Sequence, residues 1–137
     1  MMERISATLN TELLRQFDRF LADRGYTNRS EAIRDLIRAA LVQDEWRRGG
    51  PVVAVATLVY DHHHSRLQRR LLELQHEAHE TIVSSTHVHL DDDHCLEVLI
   101  LRGPADHVRT LGDRLVALPG VLNGALSATG LPRSGPE

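Results

Sequence analysis

At 137 residues the chain has room for one ordinary domain or two small ones, and 42% hydrophobic with 26% charged residues is the usage of a globular protein. That excludes a fibre, a collagen and a disordered tail. No apolar run reaches the roughly 18 residues of a membrane span, and Met1-Met2-Glu3-Arg4 lacks the apolar core of a signal peptide, so a soluble cytoplasmic chain is expected. The single cysteine, Cys95, rules out an internal disulfide. Nine His stand against two Phe, two Tyr and one Trp. All sixteen basic residues are Arg. The net charge of -3 is uneven: residues 1–48 hold nine Arg and eight acids, the rest seven Arg and eleven acids. Any nucleic-acid contact must therefore be local.

From the N-terminus, Arg4 to Leu9 alternates, with Arg4, Ser6 and Thr8 on one face of a predicted strand and Ile5, Ala7 and Leu9 on the other. Asn10 can cap a helix in which Leu13, Leu14, Phe17, Phe20 and Leu21 recur at helical spacing until Gly25 stops it. Asn28-Arg29-Ser30-Glu31 opens a second helix, whose stripe is Ala32, Ile33, Leu36, Ile37, Ala40 and Leu41. A unit of this size with one strand leaves that strand's backbone groups unpaired and buries little surface. Pairing with a second copy, as an antiparallel two-stranded ribbon, answers both needs. Such a ribbon fits the DNA major groove, with Arg4, Ser6 and Thr8 facing base edges. Three polar residues alone would favour a solvated edge strand; the two capped helices behind them favour DNA.

Up to this point the chain resembles the ribbon-helix-helix transcription factors, on the stretch Gly25-Tyr26-Thr27-Asn28-Arg29-Ser30-Glu31-Ala32-Ile33-Arg34-Asp35. Backbone N–H groups around Asn28 to Ser30 can hold a DNA phosphate, with Arg29 adding charge.

Gly49-Gly50-Pro51 marks the domain boundary. The order predicted beyond it is strand 52–60, helix 63–79, strand 82–90, strand 95–102, helix 105–117 and strand 120–128. That is a split βαβ, ferredoxin-like plan, which makes the whole chain α+β. Leu67, Leu71, Leu72, Leu74 and Ala78 form the apolar side of its first helix; residues 131–137 read as a disordered tail. The domains expected are 1–48, a linker 49–51, and 52–130. Trp46 is expected to pack on the linker.

Chemistry concentrates in the central hairpin. His87-Val88-His89 puts two imidazoles on one strand face, with Val88 and Leu90 assigned to the core. A three-residue loop, Asp91-Asp92-Asp93, pairs Leu90 with His94, His89 with Cys95 and His87 with Glu97. Two imidazoles and a thiol then converge as metal-ligating groups, and Glu97 is placed to accept a hydrogen bond from a ligand's second ring N–H. A fourth ligand must come from elsewhere, and His76 and His79 on the first helix are the candidates. Ligand type alone leaves Zn(II), Ni(II) and Cu(II) open. His62-His63-His64 could be a weaker metal site or a DNA-backbone contact, with solvated surface the favoured reading; His94 and His107 are taken as surface residues.

Taken together, the two modules resemble the nickel-responsive regulator family (NikR), on Tyr26 to Asp35, Gln75-His76, Thr86-His87-Val88-His89 and Cys95-Leu96-Glu97. The resemblance covers Arg4 to about Leu131. It implies a DNA-binding repressor with an ACT-like C-terminal domain that assembles a homotetramer flanked by two ribbon dimers. One Ni(II) per chain would be held in a planar site by His87, His89 and Cys95 of one chain and His76 of another. It also implies a palindromic double-stranded operator read by Arg4, Ser6 and Thr8, where Ser6 replaces the family's usual Thr. Glu31 and Asp35 match positions that hold a second cation, though they would equally make a solvated acidic pair. The residues alone leave two other classes open. One is an antitoxin-like DNA binder that grips a protein through its C-terminal half. The other is a small metalloenzyme or thiol hydrolase using Cys95 and His89, against which stands the lack of a nucleophile elbow, phosphate loop or oxyanion-hole motif.

Overall fold

A computed structural model describes residues 1–131, so the tail expected at 131–137 lies, from Pro132 on, outside the described residues. The described chain forms two compact units, Met1–Leu41 and Val42–Leu131. No helix is long and apolar enough to cross a membrane.

In the first unit, helix α1 spans Thr11–Asp23, and the Asn10 side chain accepts the Leu13 N–H at its start. Its end is closed by a left-handed glycine, Gly25 at φ 79°. Tyr26 N–H donates to Leu21 O and Gly25 N–H to Ala22 O, which satisfies the last carbonyls. Helix α2 spans Arg29–Arg48, and Asn28 accepts the Glu31 N–H at its start. No strand is assigned over residues 1–10. The strand expected at Arg4 to Leu9 would be defined by a hydrogen-bonded neighbour, and one chain supplies none there. Only Leu21 and Ala32 are buried in this unit; Ile5, Leu9, Leu13, Ile33, Leu36, Ile37 and Leu41 are exposed.

The second unit follows the ferredoxin-like order: β1 Pro51–Asp61, α3 Ser65–Glu77, β2 Ile82–His89, β3 His94–Pro104, α4 Ala105–Val116 and β4 Val121–Gly130. The antiparallel sheet runs β2-β3-β1-β4. Alternation along β1 is strict. Val52, Ala54, Ala56, Leu58 and Tyr60 are buried, and they pack with Leu99 and Leu101 of β3, Leu67, Leu71 and Leu74 of α3, and Val108, Leu111 and Leu115 of α4. One sheet face therefore lies under the helices. The other face is apolar and open, with Val53, Val55, Val59, Leu96 and Val98 half-buried and Val88 and Ile100 exposed.

The two compact units part at Leu41/Val42, inside α2. Three expectations change. Trp46 does not pack on the linker: it joins the second unit's core, and its indole N–H donates to Thr129 O of β4 at 2.9 Å. Leu72 is exposed, because the α3 stripe that meets the sheet runs through Leu67, Leu71 and Leu74 at i, i+4, i+7. Val88 and Leu90 are exposed as well. Along β2, an edge strand, His87 and His89 are themselves exposed but sit opposite the buried Glu97 and Cys95, so the intervening Val88 points to the open face.

Candidate metal centre

The hairpin register is the one its loop length predicts: His89 pairs with Cys95, Val88 with Leu96 and His87 with Glu97, and Leu90 N–H donates to His94 O at 2.9 Å. Cys95 is fully buried. His89 Nδ1 lies 3.5 Å from its Sγ, close enough for both to bind one ion at bond lengths of about 2.0–2.3 Å. The rings of His87 and His89 are 5.0 Å apart. Burial pushes the Cys95 thiol above its ordinary value, and the carboxylates of Glu97, Asp91 and Asp61 add to the rise. A neutral thiol is thereby favoured until a cation replaces its proton.

Glu97 is the one buried charged residue among the described residues, and it is well supplied with donors. Ser85 Oγ donates to Glu97 Oε2 at 2.9 Å and the Tyr60 hydroxyl donates to Oε1 at 3.4 Å. His87 Nδ1 lies 3.2 Å from the Tyr60 oxygen and 3.5 Å from Glu97 Oε1. One arrangement satisfies all three groups: His87 Nδ1–H donates to Tyr60, and Tyr60 donates to Glu97. His87 Nε2 then keeps its lone pair for an ion. Burial and the neighbouring Glu97 carboxylate raise the Tyr60 phenol, which keeps it a donor. Tyr60 carries this role without having been singled out in the sequence; the signal was its pairing position opposite Cys95.

Most of the other histidines fall in two places, after β1 and at the end of α3. His62 was read as surface, yet one ligand atom each of His62, His89 and Cys95 lies within 4.8 Å of the others. His76, on the last turn of α3, is exposed and does not join that group. His79 Nδ1 lies 3.2 Å from His76 O. His64 is also not solvated surface: it caps α3, its Nδ1 accepting the Leu67 N–H at 3.1 Å. His94 is paired with Asp91, whose two carboxylate oxygens each lie 2.9 Å from its Nδ1. His107 is exposed on α4.

In the first unit, Arg4, Ser6 and Thr8 are exposed in the segment before α1. Asn28, Arg29 and Ser30 are exposed at the start of α2. The Arg29 guanidinium is engaged as a fork by Asp18, at 3.0 and 2.9 Å. Asp35 accepts from the Tyr26 hydroxyl at 2.6 Å and pairs with Arg38 at 2.9 Å, and it makes no three-ligand group with Glu31 among the described residues.

Residues 53–129 match the model of the NikR C-terminal nickel-binding domain, and residues 3–44 match that of the ribbon-helix-helix proteins of the copG family. Three relatives carry the provisional name nickel-responsive regulator. One from Desulfotalea psychrophila is 50% identical, covering 95% of this chain and 97% of its own. One from Solidesulfovibrio magneticus is 52% identical over 90% of each chain. One from an Anaeromyxobacter species is 52% identical, covering 92% of this chain and 93% of its own.

Proposed function

The chain belongs to the nickel-responsive regulator family, and from that premise we propose that it is a Ni(II)-controlled repressor that binds a palindromic operator when the metal fills its C-terminal site. The observation that carries the reading is the hairpin itself, where Cys95 Sγ lies 3.5 Å from His89 Nδ1 and the register puts His87 on the same face, two residues along the strand. A thiol with two imidazoles suits a borderline d-block cation. A bound ion would supply the positive charge that lets Cys95 ligate as a thiolate. The chain's residues do the rest: β2 and β3 fix the spacing, and the Glu97–Tyr60 pair holds the His87 proton on Nδ1.

The fourth ligand in this reading is His76 from another chain. Its exposure at the end of α3 supports that role, because an imidazole turned outward can reach a neighbour. Two apolar surfaces support the assembly. The bare stripe of Ile33, Leu36, Ile37 and Leu41 suits an intertwined ribbon-helix-helix dimer, and the open sheet face suits packing of ACT-like units into a homotetramer, a dimer of dimers. Pairing of residues 4–9 across two chains would present Arg4, Ser6 and Thr8 to the major groove, with Asn28 to Ser30 holding a phosphate. Nickel then raises operator affinity only by favouring the DNA-competent arrangement, and operator DNA raises nickel affinity by the same factor. Glu31 and Asp35 are proposed to hold a second cation, at the expense of the Tyr26 and Arg38 contacts on Asp35. We place the protein in the cytoplasm, and regulation rather than catalysis is the activity the family supports.

The test is an optical titration of apo protein with Ni(II) beside Cys95→Ala. A thiolate charge-transfer band saturating near one metal per chain in the wild type, and absent from the variant, supports the reading; no saturable band overturns it.

A further inference from the structure

The geometry points to Ser85, on β2, as the positioning residue that decides which nitrogen His87 offers to a metal, acting through the Glu97 carboxylate. The inference rests on the function proposed above and concerns a side chain that holds no ion itself. Ser85, His87 and His89 are alternate residues of one strand and share a face, whereas Ser84 and Thr86 lie on the other. Of the three consecutive hydroxyls in Ser84-Ser85-Thr86, Ser85 is the one in the row of the histidines.

Hydrogen-bond lengths give Ser85 its weight. Its Oγ donates to Glu97 Oε2 at 2.9 Å, an ordinary length for such a bond. On the other oxygen, Oε1, the Tyr60 hydroxyl stands at 3.4 Å and His87 Nδ1 at 3.5 Å, both long. These two groups follow the carboxylate rather than fix it. Glu97 is also 7% exposed, so little water is at hand to replace a lost donor. With Oε2 anchored by Ser85, the rigid plane of the carboxylate sets where Oε1 stands and gives the Tyr60 proton an acceptor.

That acceptor settles the direction of the next contact. Tyr60 O and His87 Nδ1 are 3.2 Å apart, and the bond between them can run either way. While Tyr60 donates to Glu97, its oxygen accepts from His87 Nδ1–H, and Nε2 keeps the lone pair that a metal needs. Once the Ser85 hydroxyl is gone, the carboxylate is free to turn about its last torsion, and the Tyr60 proton swings to His87 Nδ1. The ring proton then sits on Nε2, and His87 must change tautomer before it can ligate. Ser85 therefore keeps His87 ready for the metal in the apo protein.

Two measurements on the full chain test this: long-range proton–nitrogen correlation spectra of the apo imidazoles at mildly alkaline pH, with the His87 ring assigned by its loss in His87→Ala, and optical titration with Ni(II). The wild type should show His87 protonated at Nδ1. Ser85→Ala should shift His87 toward the Nε2–H form and weaken Ni(II) binding by about tenfold or more, with the thiolate band still reached at saturation. Ser85→Thr, which restores the hydroxyl, should recover both. Thr86→Ala, which removes a hydroxyl from the other face, should leave the apo His87 pattern as in the wild type. Trp46 fluorescence reports that the second unit is folded in each variant. An unchanged His87 tautomer in a folded Ser85→Ala, an equal change in Thr86→Ala, or no recovery in Ser85→Thr would overturn the role of Ser85. A wild type without a thiolate band strikes the proposed function instead, since the apo spectra, recorded without metal, still decide whether Ser85 sets the tautomer.

Discussion

The two units of this chain solve the problem of apolar surface in opposite ways. In the second, strict alternation on β1 and a three-leucine stripe on α3 close a core in which Leu58, Leu67, Leu71 and Leu99 are 2% exposed or less. In the first, α1 and α2 have well-made ends, yet Leu36 and Ile37 are each 46% exposed and Leu41 63%. Good caps without a closed core are the mark of a half-structure. Local rules complete each helix, but the face the helices share has nothing in its own chain to bury against. On the assembly proposed above, the first unit would gain its stability on association, while the second already closes a core of its own.

The difference can be measured, because Trp46 is the chain's one tryptophan and lies in the second unit's core, so its fluorescence follows that unit alone. Leu71→Ala should have the largest effect, lowering the unfolding free energy read from Trp46 by about 2–5 kcal/mol. Leu36→Ala should leave the Trp46 transition in place and instead weaken self-association, read by sedimentation. An equal shift of the Trp46 transition in both variants would break the comparison. Asn10→Ala should cost the first unit about 1 kcal/mol, seen by helical circular dichroism and not by Trp46.

The pH responses should be divided in the same way. In the second unit, Cys95 carries a raised thiol that must shed its proton to ligate. Nickel affinity should therefore go on climbing with pH through the ordinary thiol range, and a titration that levels off near neutrality would contradict the burial argument. In the first unit, the fork from Arg29 lowers the Asp18 carboxyl. Its contribution is present above the unfolded carboxylate range and is lost as pH falls through the lowered value. The pair is exposed, so this acid-side loss should be the smallest effect of all and should shrink further in salt.

How legible each unit was follows from the same physics. Both helices of the first unit, their caps and the Gly25 stop were readable, because capping and periodicity are local signals. The hairpin register was readable because a three-residue loop leaves little freedom in which residues meet. The side of β2 that faces the helices was not. Apolar Val88 and Leu90 suggested the core, but on β2 the residues opposite buried Glu97 and Cys95 are the two histidines, and the open face is apolar. Trp46 and His62 were misplaced for a related reason: each gains its partners from an element distant in sequence, Thr129 on β4 for one and Asp93 in the hairpin loop for the other. Spacing along the chain carries no trace of such contacts.

Strand β3 commits one row of side chains to two purposes, with Leu101 and Leu99 in the core and Glu97 and Cys95 in the site. A slip of one residue against β2 would turn the leucines outward and scatter the thiol from its imidazoles in the same stroke. A chain that has paired its strands wrongly therefore has no sulfur-containing centre to fill, and a Ni(II)–thiolate band would count only correctly built molecules. The sensor carries its own proofreading, since the register that seals its interior is also the one that lets it hear the metal.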